Sequence, residues 1–523
     1  FVQSPLPKDP AALAAEVDKL VLNKMKTSYY ELQKQLSELP GRTDLDAALK
    51  QKEKEKIERE MAMCVPNALT NDAQFLRRIY LDVAGRIPTY KEAEKFLADG
   101  NRNKRAALIN ELLDSEAYAM HMFNFYSDLL RVREGLTMMG GGNLRSDPYI
   151  EWLKKCARED VPFNQMVKEM LSATGNVWDN PAAGYLMTDD GMRLCNLSNT
   201  FTVFLGTEIT CAQCHDHPFE EIYQMDFFRL ASFMGGTETR GGRNDAMMMG
   251  SALNRGEVDR MSKILKDAGK LGERETRDRQ LDDILGSFNY NVNDRQGNAV
   301  KLPHDYKYDD GEPNGSVQPG AYFGDTVNLE KYKTPREAYA DWMVSPSNPR
   351  FTVNLVNRLW KKCFGVAQIE PVFNIPGHLD GQAQNYELLT FLEQMMKDMD
   401  FSVKDFLRVV YNTQTYQREA ETMSPSLDQM DKGTYHFPGP VLRRMSAEQM
   451  WDSLVTLTTA NPDGAVRRGW EAYKTLMHTD TRTLTTADQI MKFKEDFGKI
   501  GGLASADGET MMNANDTRVG GEQ

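Results

Sequence analysis

The sequence predicts a mostly α protein, two multi-helical modules with a small β or irregular insertion between them. Three observations predict it. Apolar residues recur at three- and four-residue spacing in one segment after another, which is the period of a helix with one buried face. Helix-start signals stand ahead of several of these segments. Strand-like alternation of apolar and polar residues is scarce.

Residues 1–70 read as a charged helical leader, and the run from Lys50 to Glu60 alternates sign as a solvated helix face does. Residues 71–235 read as the first module. In it Thr89-Tyr90-Lys91-Glu92 is a capping box, a hydroxyl at the N-cap and a carboxylate three residues on, opening a helix through Phe96 and Leu97. Asp147-Pro148 sets proline at a first helical position ahead of Ile150 and Leu153. Segments 105–113, 116–132 and 191–205 carry the helical spacing. Residues 236–330 mix Gly pairs, the run Met247 to Met249 and the polar stretch from Asp305 to Gly320, so they read as an insertion or linker. Within them Phe288 to Val292 and Ala321 to Phe323 predict a small hairpin. Residues 331–462 read as a second helical module, with helical spacing over 335–343, 350–363, 384–399 and 402–412 and a second capping box at Ser446-Ala447-Glu448-Gln449. Residues 463–523 turn polar and read as a mobile tail.

The 523 residues carry a net charge of −13, which repels nucleic acid and acidic membrane surfaces unless a local basic patch intervenes. No stretch approaches the roughly 18 to 20 apolar residues that a membrane-spanning helix needs. The opening Phe1-Val2-Gln3-Ser4-Pro5 has no initiator methionine and fits a mature chain whose leader peptide has been removed. That predicts a periplasmic or extracellular protein of the cell envelope. Of the six cysteines, Cys64, Cys156, Cys195 and Cys363 can make two disulfides by any of three pairings, or stand as four buried free thiols.

The other two belong to Cys211-Ala212-Gln213-Cys214-His215, the attachment pattern of c-type haem. Two thiols three positions apart reach the two vinyl groups on one edge of a porphyrin, and the adjacent imidazole swings beneath the ring to the iron. The rival is zinc, because Cys211, Cys214, His215 and His217 are four suitable ligand types within seven residues. Adjacent Cys214 and His215, however, strain to complete one tetrahedron. For a second haem ligand the candidates are Met187, Met192, Met225, Met234, His121 and His378, none of which the sequence singles out. Two acidic pairs, Asp189-Asp190 and Asp309-Asp310, read as surface turns. No nucleophile elbow, P-loop or His-Glu-x-x-His occurs.

The stretch from Phe75-Leu76-Arg77-Arg78 through Leu81-Asp82 to Gly85-Arg86-Ile87-Pro88-Thr89 resembles a signature of planctomycete cytochrome C domain proteins. So does Leu205-Gly206-Thr207 through Cys211, Cys214, His215 and His217-Pro218-Phe219, followed by Met225-Asp226-Phe227-Phe228. Asn348-Pro349-Arg350-Phe351, Asn357-Arg358-Leu359-Trp360, Tyr416-Gln417-Arg418 and Arg443-Arg444-Met445-Ser446 are similar to the partner module of that family. The resemblance implies an exported protein with a cytochrome-like N-terminal module and a family-specific C-terminal one. It implies haem binding at Cys211, Cys214 and His215, with His217 part of the same motif. Family members often carry a further cytochrome c domain, and no second Cys-x-x-Cys-His occurs here. Arg77-Arg78 with Asp82, and Asn357-Arg358, are expected to pair buried polar groups between modules.

Three functions follow as expectations. The first is a covalent haem c protein that exchanges electrons with a redox partner protein. The second is a zinc-dependent envelope enzyme acting on polysaccharide, and the third a cell-surface structural protein, a homo-oligomer or surface assembly.

Overall fold

The computed structural model describes residues 9–133, 135–137, 143–189, 192–240, 250–272, 274–286, 291–295, 299–324, 326–377, 379, 381–422, 435–459, 461–463 and 470–499. His378, Met247 to Met249, Phe288 to Tyr290 and residues 500–523 lie outside them.

The fold is mostly α, as the spacing predicts. The leader supplies α1 (Pro10–Glu38) and α2 (Ala47–Met63). The first half continues with α3 (Asp72–Ile79), α4 (Tyr90–Ala98), α5 (Lys104–Leu113), α6 (Glu116–Leu130), α7 (Asp147–Glu159), α8 (Phe163–Ser172), the short α9 (Gly184–Met187), α10 (Arg193–Thr200) and α11 (Gln224–Ser232). The Thr89 capping box closes in both directions at the start of α4. Two helices that the Gly-rich insertion concealed follow, α12 (Gly250–Asp267) and α13 (Arg279–Gly286). The second half is α14 (Pro335–Met343), α15 (Phe351–Phe364), α16 (Tyr386–Asp398), α17 (Val403–Asn412), the one-turn α18 (Gln414–Gln417), α19 (Ala447–Thr458) and α20 (Trp470–Met477). Residues 487–499 of the polar tail are helical as well. Their Ile490 and Phe493 join Val258, Met261 and Leu265 of α12 and Leu281 of α13 in a small separate core.

Strands are few and short. β1 (Gly135–Thr137) pairs with β2 (Asn143–Arg145), and β6 (Val300–Lys301) with β7 (Ser316–Val317). The expected hairpin between 288–292 and 321–323 does not form. Asn291–Asp294 (β5) is the centre of a three-stranded antiparallel sheet, between β3 (Gly175–Asn176) and β4 (Thr237–Arg240). Residues 321–323 instead bend, with Trp342 donating to the carbonyl of Phe323 at 2.7 Å.

One buried apolar network runs from Leu13 to Met477 and joins leader, first half and second half. Its aromatic spine passes from Phe163 to Phe204 and Phe351, and on from Phe351 to Phe401. A second cluster stacks Trp360 on Phe364 at 4.1 Å, with Phe437 and Tyr416 edge-on. The leader belongs to this body. Asp9 caps α1, and Leu13, Val17, Val21, Met25 and Leu32 form its buried stripe. α1 lies on α16, α17 and α18, where the Asp18 carboxylate accepts from the backbone of Gln414 and Thr415 at 2.7 and 2.8 Å.

Polar ties reach the same distances. Arg336 on α14 is 1% exposed. It donates to the carbonyls of Leu171 in the last turn of α8 and Ala173 just past it, and forms a two-bond ion pair with Asp294 of β5. Arg336→Ala leaves two carbonyls without this donor and the Asp294 carboxylate with the Thr237 hydroxyl but no cation, and is expected to destabilise the fold by about 3–5 kcal/mol in chemical denaturation.

His436 is 7% exposed, and burial, then Lys24, pushes its imidazole down to about 4. An unfolded chain takes up this proton as pH falls through about 6.5, while the folded one resists until about 4. Folding stability is therefore expected to fall by roughly 3 kcal/mol between those limits. His436→Phe should flatten the slope in thermal melts run from pH 7 to pH 4.

Candidate functional site

Both halves of the haem question lie on one irregular segment. α10 runs into a wide π turn, Phe201–Leu205, that ends on Gly206 in the left-handed region (φ 57°). A side chain at Gly206 would meet Asn354 and Ile375 at 2.8 Å, so only glycine fits between the turn and the second half. The chain then passes through fully buried Ile209 into a single 3₁₀ turn, Thr210–Gln213, that carries the motif. Ala212 is the inward pivot of this turn, at 0% exposed. Cys211 on one side of it is half-buried, and Cys214 on the other is exposed.

All six thiols are free. The pairs considered among Cys64, Cys156, Cys195 and Cys363 are not made. Cys64, Cys156 and Cys363 are buried, as expected of structural thiols, and burial pushes them up to about 11, 12 and 12. Cys195 departs from that reading, for it is exposed.

The two histidines differ in a way that decides what each can ligate. His215 Nδ1 lies 2.7 Å from the carbonyl of Asp216. A carbonyl only accepts, so Nδ1 carries the proton and the Nε2 lone pair is left free. Holding the far ring nitrogen in this manner is how proteins orient a metal-binding imidazole. Asp216 is itself fixed, its N–H donating to the Tyr308 hydroxyl at 2.9 Å and its carboxylate accepting from Gln224 N at 2.8 Å. Gln224, 4% exposed, also donates to the carbonyl of Gln213 and so ties the end of the motif turn to α11.

His217 is the reverse case. Its Nδ1 accepts from the backbone N–H of Glu220 at 3.0 Å and of Phe219 at 3.3 Å. A neutral imidazole so bonded has its proton on Nε2 and no lone pair to offer. His217 shapes the loop, leaving Phe219 91% exposed at its tip. Among the described residues, no three His, Cys, Asp or Glu side chains converge on a point that would hold a metal ion. The four-ligand zinc arrangement is therefore not assembled, whereas the haem-type set needs only the two thiols and His215. Met187, Met225 and Met234 are buried in the core, and Met192 is exposed.

His121, the remaining described candidate, sits in a second constellation about Asp82. A π turn again precedes it, Tyr80–Ala84, ending on left-handed Gly85, where a side chain would strike His121 Nδ1 at 2.6 Å. The Asp82 carboxylate accepts from the Tyr416 hydroxyl at 2.7 Å and from Arg443 at 3.0 Å. Lys362 Nζ stands 3.3 Å from His121 Nε2 and 3.4 Å from the Asp82 carbonyl. Burial pushes His121 well below its ordinary range, helped by the Lys362 charge, and burial lowers Lys362 too. Burial acts against Arg443, yet Asp82 holds it above its ordinary value. This cluster joins the π turn after α3, and α6, to α15, α18 and the segment before α19.

Of the arginine motifs, Arg78 and Asn357-Arg358 take the pairing role expected of them, whereas Arg77 is exposed and Asp82 pairs with Arg443 instead of its neighbours. Arg78 donates to the carbonyls of Tyr416 and Arg418 at 2.6 and 2.7 Å, and Arg358 to that of Thr202 at 2.9 Å. Asn357, fully buried, bonds both backbone groups of Ile369. Sequence reasoning missed Lys362, Tyr411, Tyr308 and Gln224, and only the lysine pair Lys361-Lys362 at the end of the helical stretch 350–363 could have signalled one of them.

Clefts of about 510, 630 and 620 Å³ open on the surface, and the motif lines none of these three. The first lies between α3 and the segment ahead of α19, the second between α6 and α19, and the third beside α10 and α11. No helix among the described residues is long and apolar enough to cross a membrane.

Fold and site define a class of helical two-module proteins, in which the first module carries a cytochrome-type motif turn and the second grips the backbone beside it. The chain belongs to the planctomycete cytochrome C domain proteins, its two modules in N-terminal and C-terminal order. The model PSCyt2, described as a protein of unknown function (DUF1549), matches residues 54–239. The model PSD1, described as a protein of unknown function (DUF1553), matches residues 335–492. Neither the curated proteins nor the solved structures hold a match.

Removing the Asp82 carboxylate strands the Tyr416 hydroxyl and Arg443. Arg443 is 37% exposed, so Asp82→Ala is expected to cost about 2–3 kcal/mol, below the value for a wholly enclosed pair, as read by urea unfolding. Asp82→Asn, which keeps an acceptor for Tyr416, should lose less.

Proposed function

We propose that this protein is an exported c-type haem protein, working in the periplasm or outside the cell, that passes electrons to or from a redox partner protein. The observation that carries the reading is the state of His215, whose protonated Nδ1 is tied to a fixed carbonyl while the Nε2 lone pair is free beside two unpaired thiols. Cys211 and Cys214 would hold the porphyrin through thioether bonds, and His215 would ligate the iron. A bound haem supplies a one-electron carrier whose potential depends on its axial ligands and exposure. The chain's own part is to hold the attachment turn rigid through Ala212, Ile209 and Gln224, and to keep the His215 ring in one tautomer through Asp216 and Tyr308. An exposed motif turn suits electron exchange, because a partner can dock directly against a haem edge held there.

The test is to produce the chain in a periplasm equipped for haem attachment and weigh it. Haem c is expected to add about 616 Da to the mature mass and to give a Soret band that survives acid–acetone extraction. Cys211→Ala with Cys214→Ala should abolish both, while His215→Ala should keep the added mass and change the spectrum. A mature chain of unmodified mass, or one holding stoichiometric zinc instead of iron, overturns the proposal.

A further inference from the structure

The cleft of about 510 Å³ between the modules has a charge out of character with the chain. In a protein of net charge −13, four guanidinium side chains line it, Arg77 and Arg78 from α3 and Arg443 and Arg444 from the segment before α19, against two carboxylates, Asp82 and Glu419. These arginines are not equivalent. Arg443 is spent on Asp82, and Arg78 on two carbonyls. Arg77 and Arg444 are exposed, and among the described residues neither meets a carboxylate. The one polar contact of Arg77 is with the Met445 sulfur at 3.5 Å. Some surface arginines pair locally, as Arg42 does with Asp44, Arg158 with Glu116 and Arg482 with Asp480, while others, such as Arg102 and Arg279, meet no carboxylate among the described residues. What sets Arg77 and Arg444 apart is place: they come from different modules and face one cleft already lined by two further guanidinium groups.

The cleft also has an apolar wall, made by Leu81, Pro440 and Val441, and amide side chains at Gln74 and Gln449. A volume of this size admits a small organic molecule and exceeds what a bare ion needs. Paired planar guanidinium groups bind oxyanions by two parallel N–H bonds each, which a lysine cannot do.

We infer that this cleft binds a small organic oxyanion, its carboxylate, sulfate or phosphate group held between Arg77 and Arg444 and its body against Leu81 and Val441. The site is distinct from the motif turn, which lines no part of it, and the inference stands whether or not haem is attached. Because one arginine comes from each module, a ligand there also ties the modules together.

The experiment is calorimetric titration of the full chain at low ionic strength with glucuronate, inorganic sulfate and inorganic phosphate, with glucose and sodium chloride as controls. Saturable binding of at least one oxyanion, with no saturable signal from glucose or chloride, is expected. Which probe binds identifies the source, since glucuronate without sulfate or phosphate points to a carboxylate and the converse to an ester. Arg77→Gln with Arg444→Gln should weaken binding by about tenfold or more, the loss of one charge-assisted pair at the least. Both residues are exposed, so the variant should melt within a few degrees of the parent. Independently of any variant, phenylglyoxal labelling followed by peptide mass spectrometry should show Arg77 and Arg444 protected by the binding probe. No saturable binding, undiminished binding by the double variant, or labelling that the probe does not slow overturns the inference.

Discussion

Everything in this structure hangs on how two π turns are satisfied. A π turn widens the helix by one residue and releases backbone carbonyls from their usual partners. Buried without replacement, such groups are costly. At Tyr80–Ala84 the freed carbonyls of Leu81 and Asp82 receive Gln449 at 2.9 Å and the Tyr411 hydroxyl at 3.5 Å. At Phe201–Leu205 those of Thr202 and Val203 receive Arg358 and Asn354 at 2.9 and 2.8 Å. All four donors come from the second module. Each turn ends on a glycine whose missing side chain lets the opposite surface close, His121 over Gly85 and Asn354 over Gly206. The first module thus presents defects in its own helices that only the second can repair, which makes the pairing obligatory and fixes its register.

The motif turn inherits its rigidity from that arrangement. Gly206 ends the second π turn only five residues before Cys211, and its carbonyl accepts from Ile375 N at 2.6 Å. The motif loop is consequently anchored at its root by the second module and at its far end by Gln224 and Tyr308. Two histidines separated by one residue come out chemically opposite because each meets a different kind of backbone group: His215 a carbonyl, His217 a pair of N–H donors.

The helical class was legible because amphipathic spacing and caps are local signals, and both capping boxes, at Thr89 and Ser446, form as written. The motif was legible for the same reason, being five consecutive residues. The insertion misled: its glycines and polar residues hid α12 and α13, although Val258, Met261 and Leu265 hold the helical spacing. The hairpin failed because the partners of β5 are 50 and more residues away, and strand pairing at that range leaves no mark on local sequence. The Asp82 cluster could not be read at all as a cluster, since its members lie on segments some 40 to 360 residues apart and each alone passes for an ordinary core or surface residue. The histidine tautomers depend on backbone directions that no sequence pattern reports.

The docking of α1 has a consequence for how the chain reaches its final form. Asp18 secures Thr415 across a separation of 397 residues. The apolar stripe of α1 is therefore covered only once a segment 397 residues further along is in place. Contacts of such range are slow to form, so the apolar stripe of α1 stays open to solvent until α17 and α18 are made and packed. Closure of α1 over α17 and α18 is then a late event in folding, a latch that shuts on a body already built.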